Sequence, residues 1–426
     1  MQTKGTNTSQ IMKQLRLWSI SVMLCCFCMA DAQKYVGGDI SMLTKYEEAG
    51  VVYKNKNGNT VSDVLAFFHQ EGLNTMRVRL FVDPSKDNDK AVCQDIDYVK
   101  ALGKRIKDAG MKLILDFHYS DTWADPAKQW TPDAWKSLSD EQLYDKIYEY
   151  TKESLDQMIK AGATPDFIQT GNEISFGMLW GTESKAGNND INRCYINSSD
   201  ANWTRFFKLL KNAGKACREM CPQAKIIIHS ERTTQPNVLT DYYDRMKDAS
   251  IDFDIIGLSY YPAYHKDLGT LERALTSLEN KNFGKDIMIV ETGYCYAWAL
   301  GDTDYDYTAT YPYTEEGQRQ FTADLITKLQ AHESVKGLFW WWIEDNGNKN
   351  VTSKWWNASL YNHDTGKPYA AFYELKNFNG GITGMSPFTT DNKTDEVWYM
   401  LNGRKLTSKP STEGIYIKNG KKIIVR

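Results

Sequence analysis

Short apolar runs alternate with amphipathic stretches along most of the chain, between residues 36 and 380. Eight runs have the length and composition of β-strands, and they occupy residues 36–40, 75–81, 112–117, 166–169, 225–229, 254–259, 286–291 and 335–342. Several of them, such as "KLILDF", "KIIIH" and "DIMIVE", are continuously apolar. Runs of this kind indicate strands that are covered on both faces, as in a parallel sheet.

The segments between these strands carry helix signals. Ser139 and Gln142 have the spacing of a capping box, and Thr314 precedes two acidic residues as an N-cap would. Eight strands that are each followed by a helix predict a (β/α)8 TIM barrel with extended βα loops. The alternative is an open doubly wound sheet, but no glycine-rich fingerprint follows the first strand.

Both ends of the chain differ from this pattern. Residues 1–32 combine basic residues, an apolar stretch over 17–29 and a small-residue site at Ala30-Asp31-Ala32, which predicts a signal peptide. A lipid-anchored cysteine within this leader is the alternative. We therefore expect an exported protein that is periplasmic, held at the cell surface or extracellular, with the barrel domain over residues 33–380.

The last segment, residues 381–426, alternates polar and apolar positions around Asn-Gly pairs at 402–403 and 419–420. This pattern predicts short hairpin strands in a β-rich appendix. It resembles the small C-terminal β-modules that some secreted glycan-degrading enzymes of Gram-negative bacteria carry for sorting or attachment. A mobile basic tail is the alternative.

Composition excludes several classes of function. The formal net charge is −3 and there is no basic stripe, so we expect no nucleic-acid partner. No run beyond the leader is long enough for a transmembrane span. The five cysteines that follow the leader are scattered and suggest no disulfide framework. We expect the mature protein to act as a monomer.

Polar, titratable and aromatic residues follow six of the eight predicted strands. The strand ends read "DFHYSDTW", "QTGNE", "HSE", "SYYP", "ETGY" and "WWWIEDN", from the third strand to the eighth. In a barrel, the carboxyl ends of all strands meet at one mouth, where catalytic residues lie. We therefore expect these side chains to form the active site.

Two carboxylates at this rim suit the cleavage of a glycosidic bond. Glu173 follows the fourth strand and Glu291 ends the seventh, and such a pair can supply one acid and one nucleophile or base. Asn172 could contact a sugar 2-hydroxyl. Arg77 and Arg79 point the same way from the second strand, so one of them can keep Glu291 ionised while a drier Glu173 stays protonated.

Other rim residues are candidate substrate contacts. His118 and His229 end the third and fifth strands, where they could bind sugar or position a carboxylate. Tyr260 and Tyr261 follow the sixth strand, and one hydroxyl could bond to the nucleophile. Tryptophans offer flat faces for pyranose rings. We expect about half of them to pack in the core, because consecutive residues of a strand face opposite ways. The candidates are Trp123, Trp298, Trp340, Trp341, Trp342, Trp355 and Trp356.

A calcium site is a further candidate. Asp302, Asp304 and Asp306 alternate along the loop after the seventh strand, and Asn346 with its neighbouring asparagines could complete a cage of oxygen ligands. Solvated acids are the alternative, since the loop lacks the glycine and terminal glutamate of an EF-hand.

The strand regions together resemble one known family. The segments "GGDISML", "NTMRVRLFVDP", "LDFHYSDTWADPAKQ", "QTGNEI", "GLSYYP", "VETGY" and "GLFWWW" are similar to the endo-β-1,4-galactanases of glycoside hydrolase family 53, over nearly all of residues 35–380. The resemblance implies a retaining barrel hydrolase that cleaves the β-1,4-galactan of pectin side chains, also called type I arabinogalactan.

The resemblance also implies roles for individual residues. Glu173 would be the acid/base, Glu291 the nucleophile, Asn172 a contact of the minus-one sugar and Arg77 a support of the nucleophile. Asp121 and Trp123 would belong to the substrate cleft, and calcium would be structural rather than chemical. The alternatives are a related barrel hydrolase of another β-1,4-glycan and a non-catalytic glycan-binding barrel.

Overall fold

Eight parallel strands close into a barrel in this computed structural model, which describes residues 33–182, 200–301, 303, 305–352, 355–380 and parts of 398–425. Neighbouring strands pair in chain order, and β8 pairs with β1 to close the barrel. The strands are β1 (Tyr35–Asp39), β2 (Thr75–Leu80), β3 (Lys112–Phe117), β4 (Phe167–Thr170), β5 (Lys225–Ser230), β6 (Ile255–Tyr260), β7 (Asp286–Thr292) and β8 (Val335–Trp340).

Helices connect the strands around the outside. They are α1 (Leu43–Glu48), α2 (Val64–Gln70), α3 (Ile96–Asp108), α4 (Asp140–Lys160), α5 (Asp200–Met220), α6 (Pro236–Asp248), α7 (Pro262–His265), α8 (Leu268–Lys281), α9 (Glu315–Gln330) and α10 (Ala370–Glu374). The predicted (β/α)8 barrel is confirmed, and each predicted strand lies within two residues of the observed one at both ends.

Local signals account for where two of these helices begin. The Ser139 side chain accepts from the Gln142 backbone N–H, and the Gln142 side chain accepts from the Ser139 N–H, so the predicted capping box opens α4. Thr314 accepts from the Gly317 N–H at the start of α9. Each cap satisfies backbone donors that have no partner within the helix.

Two apolar layers hold the barrel together. The larger cluster lies between the strands and the surrounding helices, and it takes in side chains such as Val78, Leu115 and Leu258. The smaller one consists of Ile114, Phe167, Ile227, Ile255, Met288, Val290 and Phe339. Because Ile114 and Ile227 lie two residues before Asp116 and His229 on the same strand face, this cluster fills the barrel interior below the polar rim.

The chain divides into two compact units, one ending at Asn379 and the other beginning at Gly380. In the second unit, β9 (Trp398–Met400), β10 (Lys405–Leu406), β11 (Gly414–Lys418) and β12 (Lys421–Val425) form an antiparallel sheet in the order β10-β9-β11-β12. Lys418 pairs with Lys421, so only Asn419 and Gly420 separate β11 from β12. A β-rich appendix is therefore present, as the alternation predicts.

Within the described part of the chain, no helix is both long enough and apolar enough to cross a bilayer. The predicted signal peptide, residues 1–32, lies outside the described residues.

Candidate active site

The turn after β4 brings Glu173 to the mouth of the barrel. Gly171 has φ of +110°, and a Cβ there would come within 2.7 Å of the Ile174 side chain, so only glycine fits this turn. Glu173 itself has φ of +47°, in the left-handed region that non-glycine residues rarely occupy. Strained backbone of this kind is typical of functional positions, where the surrounding structure holds it in place.

A cavity of about 580 Å³ opens at this mouth, and both predicted carboxylates line it. Glu173 reaches it from β4 and Glu291 from β7, while Glu231 contributes a third carboxylate from the end of β5. Asn172 is part of the same wall. Aromatic side chains form much of the rest, and they are Trp123, Tyr261, Tyr264, Trp341, Trp342 and Trp355. A cavity with acids and flat apolar faces suits a sugar chain.

Glu291 is held between a cation and a hydroxyl. Arg77 Nη2 lies 3.0 Å from Glu291 Oε1, and the Tyr261 hydroxyl donates to Glu291 Oε2 at 2.9 Å. Burial raises the pKa of Glu291 to about 7, although Arg77 and Tyr261 pull it down. Burial therefore outweighs the guanidinium, and the pKa of Glu291 is higher than an exposed ion pair would leave it.

Arg77 connects Glu291 with the rest of the rim. The same guanidinium donates to Asp116 Oδ2 at 2.7 Å and to Asn172 Oδ1 at 2.8 Å, and it lies 3.3 Å from Asp39. Arg79 lies 2.6 Å from Asp39. Both arginines are fully buried, and they point the same way, as the alternation along β2 predicts.

Glu173 is half-buried, and within the described part of the chain no basic side chain forms an ion pair with it. Ser259 on β6 donates to Glu173 Oε1 at 2.6 Å. Burial, together with the charges of Glu291 and Glu231, raises the pKa of Glu173 well above its ordinary value. The pKa of Glu173 therefore lies above that of Glu291, because only Glu291 has a neighbouring guanidinium.

The predicted substrate contacts that line the cavity are Trp123, Asn172, Trp341, Trp342 and Trp355. Asn172 donates to the Ala124 carbonyl at 2.9 Å while its oxygen accepts from Arg77. The Trp123 indole N–H donates to Asp89 Oδ2 at 3.0 Å. Trp342 has φ of +52°, in the left-handed region. This backbone conformation lets Trp342 line the cavity together with its neighbour Trp341, whereas adjacent residues of a regular strand face opposite ways. Trp340 packs in the core instead, with its N–H donating to the Ala358 carbonyl.

The structure corrects the placement of Tyr260. Its ring is fully buried and stacks on Phe321 of α9, and its hydroxyl donates to the Lys266 carbonyl. It faces the helices because it lies next to Ser259, whose side chain faces the barrel interior. Tyr261 is the residue of this pair that reaches the cavity.

Both predicted histidines lie beneath the cavity surface rather than on it, which corrects the expectation of direct sugar contact. His118 Nδ1 accepts from the Ala124 N–H at 3.1 Å, and its Nε2 lies 3.1 Å from Asp116. His229 Nδ1 accepts from the Glu173 N–H, and its Nε2 bonds to Ser259. Each histidine thus holds backbone or side chains that do reach the cavity.

Asp121 lies in a second, more polar depression of about 330 Å³, not in the cavity of the two glutamates. Its two oxygens accept from the backbone N–H groups of Asp83 and Asp133, at 3.0 and 2.8 Å. Asp121 therefore links the loops that follow β2 and β3.

The described residues do not form the expected calcium cage. Asp302 and Asp304 lie outside them. The exposed Asp306 accepts from the Thr308 N–H, and Asn346 accepts from the Asn348 N–H, so both side chains stabilise their own turns. Within the described part of the chain, no three His, Cys, Asp or Glu side chains come together as metal ligands.

Three residues that take part in the site are not named among the sequence-based candidates. Ser259 faces the opposite way from its neighbour Tyr260, so the phase of the alternation along β6 would have had to be known to identify it. Glu231 directly follows β5, in the "HSE" segment. Gln129 donates to the Asn172 carbonyl at 2.7 Å, and no local pattern marks it.

Comparison with known proteins adds the family to this geometry. The sequence profile described as Glycosyl hydrolase family 53 matches residues 35–373, which span all eight barrel strands. The chain belongs to this family. It is therefore a glycoside hydrolase.

Individual family members cover most of the barrel. An endo-β-1,4-galactanase of Bacillus subtilis is 30% identical over 351 residues, which are 79% of this chain and 77% of that protein. An arabinogalactan endo-β-1,4-galactanase of Thermothelomyces thermophilus is 33% identical over 74% of this chain and 91% of its own length. A solved fungal β-1,4-galactanase superposes with a TM-score of 0.68 at 30% identity, covering 81% and 99% of the two chains.

Proposed function

We propose that this chain is an exported, monomeric endo-β-1,4-galactanase that cleaves galactan with retention of anomeric configuration. The observation that carries the proposal is the meeting of Glu173 and Glu291 in one cavity, each with different partners. Two family relatives with this activity support the choice of galactan.

The difference between the two carboxyl environments supports a separate role for each acid. When the pair holds a single proton, the proton resides on Glu173, because Arg77 and Tyr261 favour the ionised form of Glu291. Glu291 then attacks the anomeric carbon, and Glu173 gives its proton to the departing glycosidic oxygen. In the second step, Glu173 takes a proton from water, and that water displaces Glu291 from the sugar.

Substrate comparison tests the activity. We expect release of soluble oligosaccharides from β-1,4-galactan, and little from carboxymethyl cellulose or mannan. A product time course separates internal cleavage, which yields mixed chain lengths early, from cleavage at chain ends. Rapid hydrolysis of another β-1,4-glycan with none of galactan would favour the related barrel hydrolases, and binding without any hydrolysis would favour a glycan-capture protein.

Substitution of the two acids tests the mechanism. We expect Glu173→Ala and Glu291→Ala each to reduce turnover by several powers of ten, since they remove groups that act only on the transition state. Azide should rescue Glu291→Ala and yield an α-galactosyl azide. Near-normal turnover in either variant would refute the assignment.

Structural calcium and export are the remaining parts of the proposal. We propose that calcium, if bound, uses Asp302 and Asp304 with oxygens of neighbouring loops. Elemental analysis and a melting curve with EDTA test this, and an unchanged melting temperature without bound metal would exclude it. Amino-terminal sequencing of exported protein tests cleavage before Gln33, and gel filtration tests the monomer.

A further inference from the structure

Two buried polar side chains, Ser259 and His229, lie in sequence behind the carboxyl group of Glu173. His229 Nε2 is 2.9 Å from Ser259 Oγ, and Ser259 Oγ is 2.6 Å from Glu173 Oε1. Ser259 and His229 are both fully buried, on the adjacent strands β6 and β5. Neither lines the cavity, so neither has access to substrate.

The backbone decides which way the protons point along these hydrogen bonds. The N–H of Glu173 can only donate, and it donates to His229 Nδ1 at 3.2 Å. Gln169 Nε2, whose amide orientation follows from its bond to Asp116 Oδ1 at 2.6 Å, also approaches Nδ1 at 3.1 Å. Asn172 Oδ1 also lies 3.0 Å from Nδ1, but it already accepts from Arg77 Nη2 and Gln169 Nε2. With two N–H donors directed at it, His229 Nδ1 acts as the acceptor and carries no proton.

The imidazole must then carry its proton on the other nitrogen. Burial, with Arg77 nearby, lowers the pKa of His229 well below its ordinary value, so the ring is neutral. A neutral ring with an unprotonated Nδ1 has its hydrogen on Nε2. Nε2–H donates to Ser259 Oγ, and the Ser259 hydroxyl hydrogen is left to donate to Glu173 Oε1.

We propose that Ser259, oriented by His229, is a positioning residue that keeps the acid proton of Glu173 on Oε2, the oxygen left for the glycosidic bond. This inference rests on the proposed role of Glu173 as the acid/base. Since Ser259 donates to Oε1, a proton on Oε1 would displace that donor and leave the buried hydroxyl hydrogen of Ser259 without an acceptor. The hydrogen bond also restrains rotation of the carboxyl group, which aims Oε2 into the cavity.

A strand irregularity explains why Ser259 can do this. The pairing of β6 with β7 shifts between Leu258 and Ser259, so that Ser259 lies opposite Glu291 and Val290 has no partner on β6. Such bulges change the direction of side chains and are frequent beside active sites. The shift places the serine in the same layer as both glutamates.

Charged side chains, in addition to the Ser259 hydroxyl, shift the pKa of Glu173. Glu291, Glu231 and Asp125 all raise its pKa, whereas the Ser259 hydrogen bond lowers it. Arg77 approaches from β2 but bonds to Asn172 rather than to Glu173. Loss of the Ser259 hydroxyl alone therefore moves the pKa of Glu173 further upward.

The test uses Ser259→Ala in the full-length protein. We expect the basic limb of kcat/KM to move up by about 0.5 to 1 pH unit, the equivalent of one lost hydrogen bond to a carboxylate. We also expect about a tenfold loss of kcat on galactan with little change in KM. On an aryl β-1,4-galactobioside with a dinitrophenol leaving group, which needs no acid, the glycosylation step should be nearly unaffected.

Two further variants serve as controls. Ser259→Thr keeps the hydroxyl and should restore the wild-type pH limb. Thr292→Val removes a buried hydroxyl of β7 that donates to the Tyr260 carbonyl at 2.7 Å, and it should leave both the limb and the leaving-group dependence unchanged. Thermal unfolding of each variant separates loss of fold from loss of positioning.

This inference would be overturned if the basic limb of kcat/KM for Ser259→Ala stayed at the wild-type pH. Equal losses of kcat on galactan and on the dinitrophenyl substrate would overturn it as well. Glu173→Gln separates it from the proposed function. If Glu173→Gln is inactive on galactan and Ser259→Ala behaves as wild type, only the positioning role fails. If Glu173→Gln retains galactanase activity, the proposed function fails first.

Discussion

The hydroxyl of Tyr261 donates to Glu291 Oε2 at 2.9 Å, inside the cavity that Glu173 also lines. This bond stabilises the ionised form of Glu291 and lowers its pKa. Tyr261 thus assists Arg77 from the opposite side of the carboxylate, and a neutral hydroxyl does so without adding charge to a buried site.

Removal of this hydroxyl should shift the acidic limb of the pH profile. In Tyr261→Phe, the pKa of Glu291 rises above about 7, so a larger fraction of the proposed nucleophile is protonated at low pH. We expect the acidic limb of kcat/KM to move up by about 0.5 to 1 unit, as for other single hydrogen bonds to a carboxylate. The control is Tyr260→Phe, whose hydroxyl bonds outside the cavity. Equal profiles for the two variants would contradict this prediction.

Removal of the Glu231 carboxylate should move the basic limb of the kcat/KM pH profile to lower pH. Glu231 lines the cavity and raises the pKa of Glu173 through its charge. In Glu231→Gln the repulsion disappears while an oxygen remains to accept from Ser175, which bonds to Glu231 Oε1 at 2.6 Å. We expect the basic limb of kcat/KM to fall, opposite in sign to the effect of Ser259→Ala. Glu48→Gln, at an exposed position, provides the control. If the basic limb of Glu231→Gln stays at the wild-type pH or moves to higher pH, the proposed charge effect of Glu231 on Glu173 is refuted.

Ionisation of the buried Glu291 should reduce stability at alkaline pH. The folded-state pKa of Glu291 is about 7, above that of a glutamate in the unfolded chain, so the folded state loses stability as pH rises through this range. Glu291→Gln removes that loss, and Arg77 keeps Asp39 and Asp116 as partners. At pH 8 we expect the variant to melt at a higher temperature than wild type. Its free energy of unfolding should be higher by about 1–3 kcal/mol. Below about pH 4, under the pKa of a glutamate in the unfolded chain, the difference should vanish. A variant less stable than wild type at pH 8 would contradict the prediction.

Asp121 should matter for stability more than for substrate binding. Its carboxylate accepts from two backbone N–H groups of neighbouring loops and does not line the main cavity. We expect Asp121→Ala to lower the free energy of unfolding by about 1–3 kcal/mol in urea titrations, with KM for galactan within about twofold of wild type. Asp121→Asn keeps one acceptor oxygen and should lose less. A tenfold rise in KM at unchanged stability would instead make Asp121 a substrate contact.

The polar residues at the barrel mouth were predictable from sequence where their position depends only on where a strand ends. The apolar run before Asn172 and Glu173 marks a strand that ends at the barrel mouth, and Glu291 ends its own strand in the same way. Alternation along β2 was enough to place Arg77 and Arg79 on one face. Tyr260 shows the limit of this reasoning, because choosing between two adjacent tyrosines needs the phase of the alternation, which is set by packing against α9.

By itself, the sequence determined the barrel, its strands and the two acids at its mouth, because apolar periodicity and strand-end polarity are local properties of the chain. Only the tertiary structure decided which groups surround each acid. Arg77 and Tyr261 reach Glu291, and Ser259 reaches Glu173, from strands far apart in the chain. In the proposed mechanism, those contacts set which carboxyl holds the proton, since burial and neighbouring charge act through space and not along the sequence.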